Sequence, residues 1–235
     1  MMNILLTNDD GFDFKGIRLV RNKLLKYGRV VIVAPKGPMS AKSCSKTFTP
    51  LTLVKEEKDI YSLDGTPADC VALGLTTLGI KFDLVVSGCN NGLNIANDIL
   101  YSGTIGACLE ALTYEVPAIA FSCEFNFDLV DKCFDDAYRF IELHRLINKN
   151  YILNVNFPKG ETVKDIQLGR VYYRTDNNFF TKIGENTYQP ERNIQTIFTE
   201  KDTDCYQVEN GIISIVPVGR HIYNDELYNS IINRK

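Results

Sequence analysis

Short apolar runs broken by small and polar residues pattern the first two-thirds of the chain. Ile4-Leu5-Leu6 gives way to Asn8-Asp9-Asp10-Gly11, and a Val/Ile/Ala run over 29–34 is closed by Pro35. Continuous apolar runs of this length, bounded by turn formers, predict strands buried on both faces. They fall at 3–7, 29–34, 82–87, 118–122 and 151–155, with further strands expected at 49–55 and 59–63. Between them the period changes. Ile17, Val20, Leu24 and Tyr27 recur at helical spacing, and Gly28 reads as a C-terminal stop. Thr66-Pro67-Ala68-Asp69 joins a hydroxyl cap, a proline at the first position and an acid in the first turn, so a helix to about residue 78 is expected. Helices also follow Ser102-Gly103-Thr104, to about 114, and span 128–147.

Strands alternating with helices predict an α/β fold with a mostly parallel sheet and helices on both faces. Past residue 160 the character shifts. The stretches 167–174 and 193–199 are β-prone and polar, joined by an Asn/Gly-rich segment, and predict an extended hairpin arm. One more strand is expected at 211–217, then a polar, helix-prone tail over 222–235. The economical organisation is a single domain over 1–235: a core over 1–160, an arm over 161–200, and a closing strand and tail over 201–235.

Composition narrows the chemistry. Against a typical domain of about 150 residues, a chain of 235 residues allows one large domain or two small ones. The formal charge of −3 offers no basic excess for a nucleic-acid duplex. No apolar run approaches the ~18 residues of a membrane span. The first residues lack a basic region and reach Asn8-Asp9 too soon for a signal peptide, so a cytoplasmic location is expected. Seven Cys with no Cys-x-x-Cys pair fit a reducing compartment. Only His144 and His221 are present, which excludes a His-rich zinc site. Neither a GxGxxG nor a GxxxxGK[ST] loop occurs, so dinucleotide and P-loop readings fail.

In an open parallel sheet, ligands bind beyond the carboxyl ends of the strands. Three polar, small-residue loops would converge there: 8–11, the loop around Ser40, and 87–94. Asp9 and Asp10 are adjacent carboxylates whose repulsion a hard divalent cation relieves, and oxygen donors suit Mg²⁺, Mn²⁺ or Ca²⁺. The same residues also suit a plain turn. The loop from Ser87 to Asn94 offers three Asn in five residues, or an ordinary polar connection. Ser102-Gly103-Thr104 could present hydroxyls and helix N-terminal amides to an anion, or serve only as a cap.

Taken in order, these segments resemble the SurE family of stationary-phase survival proteins, which act as metal-dependent nucleotidases and acid phosphatases. The carrying residues run Ile4 to Gly11, Val33-Ala34-Pro35 with Ser40, Gly65 to Val71, Asp83 to Asn94, Tyr101 to Thr104 and Leu153 to Pro158, with looser matches at Thr203-Asp204 and Ile213 to Pro217. The resemblance covers essentially the whole chain. It implies a three-layer α/β/α Rossmann-like sandwich and one divalent ion per subunit, Mg²⁺, Mn²⁺ or Ca²⁺, on Asp9, Asp10, Ser40 and Asn90. It implies phosphate release from nucleoside 5′- and 3′-monophosphates; the mechanism expected from these residues has Asp9 or Asp10 acting on the attacking water and Asn94, Ser102, Gly103 and Thr104 holding the phosphate. It also implies homodimers or homotetramers that exchange the C-terminal arm. Two departures stand out: Lys36-Gly37-Pro38-Met39-Ser40 where the family often has Asp-Arg and another basic residue, and a Tyr/Asn-rich arm. The rival readings are a non-catalytic, metal-dependent nucleotide-binding protein and a receiver-type signalling domain. The second would need a phospho-accepting Asp where this chain has Ser87-Gly88.

Overall fold

The structure is a computed structural model that describes residues 1–174, 177–193 and 198–219. A nine-stranded sheet runs through the molecule. In chain order its strands are β1 (Met2–Thr7), β2 (Gly28–Pro35), β3 (Leu53–Glu57), β4 (Ile60–Leu63), β5 (Leu84–Asn91), β6 (Ala118–Cys123), β7 (Tyr151–Asn156), β8 (Asp165–Leu168) and, after a separate hairpin of β9 (Asn177–Lys182) and β10 (Tyr188–Asn193), β11 (Ile212–Gly219). The order across the sheet is β3-β4-β2-β1-β5-β6-β7-β11-β8. From β4 to β7 the strands are parallel; β3 and β11 run antiparallel to their neighbours β4 and β7, and β8 is parallel to β11.

The apolar runs are continuous because both faces are covered. Ile4 and Leu6 pack with Ile17, Val20 and Leu24 of α1 (Lys15–Leu24) and with Val130, Phe134, Tyr138 and Ile141 of α4 (Phe127–Leu143). Leu5, between them in sequence, faces the other way, onto Val71 of α2 (Pro67–Thr77) and Ile105 and Leu112 of α3 (Gly103–Thr113). One strand thus feeds two cores through its period of two. A short helix, α5 (Asp204–Glu209), precedes β11. The α/β/α sandwich and its mostly parallel sheet are therefore present as expected.

Several elements differ in detail from the sequence reading. Gly28 does not stop α1 in a left-handed conformation; it is the first residue of β2, and a Cβ there would lie 2.0 Å from the Met2 carbonyl oxygen, its neighbour across the pair. Helix α4 ends at Leu143, with Arg145 at φ +52°, so it falls short of residue 147 while Leu146 still packs on the core. The arm is displaced along the chain. Residues 165–168 join the main sheet as an edge strand, and the hairpin is made by β9 and β10, with Tyr188 opposite Lys182. Residues 194–197 of the second expected arm strand, the tail over 222–235 and His221 lie outside the described residues. Helix α2 begins as expected: Thr66 caps it, and Asp69 closes the reciprocal capping box.

A candidate metal and phosphate site

Strand order reverses direction at β1: the chain steps outward to β2 and β4 on one side and to β5, β6 and β7 on the other. At such a switch point the loops leaving the two central strands part and open a crevice. The loop after β1 carries Asp9 and Asp10, and the end of β5 carries Asn90. A cavity of about 250 Å³ opens there, lined by Asp9, Asp10, Ser40, Asn90, Asn94 and Ser102, together with Ala41, Asn91, Asp98 and Tyr101.

The loop 8–11 is a turn that also carries two of the candidate ligands. Asn8 clamps it, accepting from the Gly11 amide at 3.2 Å and donating to the Gly11 carbonyl at 2.9 Å. Gly11 sits at φ +111°, which a side chain would resist. The turn points Asp9 inward, where it is 5% exposed, against the first residues of α3. Thr104 donates its hydroxyl to Asp9 Oδ1 at 2.6 Å. A Cβ on Gly103 would come within 3.0 Å of Asp9 Cβ, so the absent side chain lets the carboxylate sit against the positive end of the helix. Burial pushes the Asp9 pKa up to about 6; the Thr104 hydroxyl opposes the rise and the charge of Asp10 adds to it. Burial also raises Asp10, against the Asn91 amide that donates to its Oδ2 at 3.2 Å.

Ser40 reaches the cavity because its loop is tied down at both ends. The Met39 amide donates to the Asp9 carbonyl at 2.7 Å. Further along, the Ser43 amide donates to the Tyr101 carbonyl at 3.0 Å, Thr66 donates to the Ser45 carbonyl at 2.7 Å, the Thr47 amide donates to Asp69 at 3.1 Å, and Lys46 pairs with Glu110. Gly106 permits this contact, since a Cβ there would fall 2.0 Å from the Ser43 carbonyl oxygen.

Asn90 donates Nδ2 to the Gly92 carbonyl at 2.8 Å, which leaves its amide oxygen for a cation. Asn94 is held from two strands. Its amide donates to Asn156 Oδ1 at 2.8 Å, its carbonyl accepts from Asn154 at 2.7 Å and Asn156 at 3.1 Å, and its Nδ2 donates to Ser122 Oγ at 2.8 Å. Ser102 caps α3 by accepting from the Ile105 amide at 3.2 Å. The Thr104 hydroxyl is engaged by Asp9, so what Gly103 and Thr104 offer an anion is their first-turn amides.

The expected ligands Asp9, Asp10, Ser40 and Asn90 thus share one cavity with Asn94 and Ser102, while Gly103 and Thr104 lie beneath Asp9. Residue reading missed the roles of Ser122, Asn154, Asn156 and Asp98. The signal was available for two of them: Asn at alternate positions of an otherwise apolar strand marks a buried polar network. His144 closes α4 with its ring against Phe140. No cluster of three or more His, Cys, Asp or Glu suited to a metal occurs among the described residues. The donor set is instead two carboxylates with hydroxyl and amide oxygens, which fits a hard divalent ion and not zinc. Among the described residues no Lys, Arg or His lines the cavity, so none of them supplies the paired carboxylates with a counter-charge there.

Comparison with known proteins follows the same lines. Residues 4–178 match the family model described as survival protein SurE. A "5'-nucleotidase SurE" of Clostridium botulinum (strain Alaska E43 / Type E3) is 34% identical over 247 residues, covering 98% of each chain. Another from Thermoanaerobacter sp. (strain X514) is 41% identical over 234 residues, covering 92% of each. The crystal structure of the SurE protein from Aquifex aeolicus superposes with a TM-score of 0.87 at 35% identity, covering 98% of each chain.

Proposed function

The chain belongs to the SurE survival-protein family, and from that premise we propose that it is a metal-dependent phosphomonoesterase, releasing phosphate from nucleoside 5′- and 3′-monophosphates. The observation that carries the reading is the cavity where the buried Asp9 and half-buried Asp10 carboxylates meet amide and hydroxyl oxygens, with no basic side chain in its lining among the described residues. A phosphate entering it unaided would be repelled.

Asp9, Asp10, Ser40 and Asn90 would hold one divalent ion, Mg²⁺, Mn²⁺ or Ca²⁺. When bound, such an ion supplies the positive charge that admits a phosphate oxygen and acidifies a water. The residues around it do the rest. The Asn94 side chain and the first-turn amides of Gly103 and Thr104 hold phosphate oxygens as charge builds on them, with Ser102 fixing the start of the helix. Asp9 or Asp10 orients the attacking water and takes its proton. The network of Ser122, Asn154 and Asn156 keeps Asn94 in place.

The hairpin of β9 and β10 stands apart from the main sheet and exposes Phe180, Ile183 and Tyr188, which supports exchange of this arm between subunits in a homodimer or homotetramer. A monomer mass by light scattering would refute that part. Among the described residues no helix is long and apolar enough to cross a membrane, and a cytoplasmic location is part of the proposal.

The test is phosphate release by metal-stripped protein from 5′-AMP, 3′-AMP and p-nitrophenyl phosphate, with EDTA, Mg²⁺ or Mn²⁺. Release restored by metal, and lowered at least 100-fold in Asp10→Asn, is expected. Nucleotide binding without any release would favour the non-catalytic binding protein, and near wild-type turnover by Asp10→Asn would sink the mechanism.

A further inference from the structure

Beside the phosphate cavity lies a second one of about 220 Å³, and the two share Asp98. They are also joined through the chain, since Asn94 lines the first and Leu93 the second. The second cavity is smaller than the ~300–1,000 Å³ that encloses a whole drug-sized ligand, so it suits one part of a molecule whose other part sits next door.

Its chemistry is specific about which part. Leu93, Ile95 and Phe198 supply apolar surface, and Phe198 is fixed edge-on against Tyr172 at 5.2 Å. These residues form the outer side of a small core with Ala96, Cys205 and Val208. Both cations are engaged by carboxylates. Arg174, 7% exposed, lies 3.3 Å from Asp98, and Lys159 bridges Glu124 at 3.4 Å and Glu209 at 2.8 Å. Among the described residues three carboxylates stand against two cations, which opposes a second phosphate or a polyphosphate chain. A flat uncharged ring meets no such penalty: it covers the apolar surface, stacks on Phe198 and presents its ring nitrogens and oxygens to the Arg174 guanidinium.

We infer that this cavity takes the base of a nucleoside monophosphate whose phosphate occupies the neighbouring site, and that Phe198 and Leu93 determine selectivity for nucleotides over other phosphomonoesters. The inference rests on the nucleotidase reading of the neighbouring site and goes beyond it by assigning the recognition of the leaving nucleoside.

The experiment compares kcat/KM for 5′-AMP and ribose 5-phosphate in wild type, Phe198→Ala and Leu93→Ser, with thermal unfolding as the check on folding. Loss of one base-stacking contact is worth roughly tenfold, so the AMP to ribose 5-phosphate ratio is expected to fall about tenfold in both variants. Adenosine, which has no phosphate, is titrated calorimetrically into metal-free wild type and Phe198→Ala, and weaker binding to the variant is expected. An unchanged ratio with unchanged adenosine binding overturns the inference and leaves the nucleotidase reading standing. If wild type releases no phosphate from AMP, that reading falls, and the adenosine titration alone decides the cavity. Should Phe198→Ala not fold, Phe198→Leu and Leu93→Ser carry the same comparison.

Discussion

Asn94 shows how a candidate site residue is aimed by residues outside the cavity lining. Its backbone is satisfied by Asn154 and Asn156 of β7 and its side chain by Ser122 of β6, all fully buried. Removing one partner leaves the other's polar group orphaned, which costs about 1–3 kcal/mol. Asn156→Ala is therefore expected to destabilise the fold by that amount and to lower kcat, because the Asn94 amide loses its acceptor. Denaturant unfolding and steady-state kinetics check both halves; wild-type stability would refute the network's importance. The chemical identity of Asp9, Asp10 and Asn94 as candidates is legible from residue types at strand ends. Their fixing is not, because Asn8, Thr104 and Asn156 act across 3, 95 and 62 positions of chain.

At the scale of elements, the regular segments were legible and the irregular ones were not. Strands β1, β2, β5, β6 and β7 declare themselves as apolar runs, and α2 by its cap. Ser40 lies in a loop with no periodicity, and its position follows from contacts with α2 and α3 that no local pattern encodes. Gly106 is the point of closest approach. In Gly106→Ala the new methyl would fall 2.0 Å from the Ser43 carbonyl, so the loop must lift or the helix shift. Overpacking of this kind costs about 1–3 kcal/mol, and alanine's better helix propensity recovers only about 1 kcal/mol of it. The variant is expected to melt lower and to bind divalent metal more weakly, since Ser40 moves with its loop. Calorimetric metal titration with a wild-type affinity would contradict this. The hairpin illustrates another limit: β-prone polar residues predict an arm, but the register that puts 165–168 in the main sheet and 177–193 in the hairpin depends on pairing with β11.

For the whole molecule, the buried carboxylate at the sheet's switch point links pH, metal and stability. The Asp9 pKa stands at about 6, against 3.8 for an ordinary Asp. Between these values the native chain binds more protons than the unfolded one, so its stability falls as pH rises through that window and levels off above it. The full difference is on the order of 3 kcal/mol. Asp10 shifts in the same direction. A divalent cation between the carboxylates offsets this penalty only when they are ionised. The rise in Tm on adding Mn²⁺ to metal-free protein is thus expected to be larger at pH 7.5 than at pH 5. Scanning calorimetry at both pH values tests it, and an equal or larger rise at pH 5 would refute the linkage.

Sequence alone determined the α/β/α class, the order of the core elements and the residue types that meet at one end of the sheet. It could do so because period-two and period-3.6 apolar patterns, caps and strand-end loops are local consequences of backbone geometry. Tertiary structure decided what those residues do together. Only the reversal of strand order at β1 places Asp9, Asp10, Asn90 and Asn94 around one cavity, only the packing of an aperiodic loop on α3 brings Ser40 to it, and only the fold sets Arg174 and Phe198 beside it. These arrangements rest on contacts between distant segments, whose energies depend on distance and burial, neither of which a linear pattern carries.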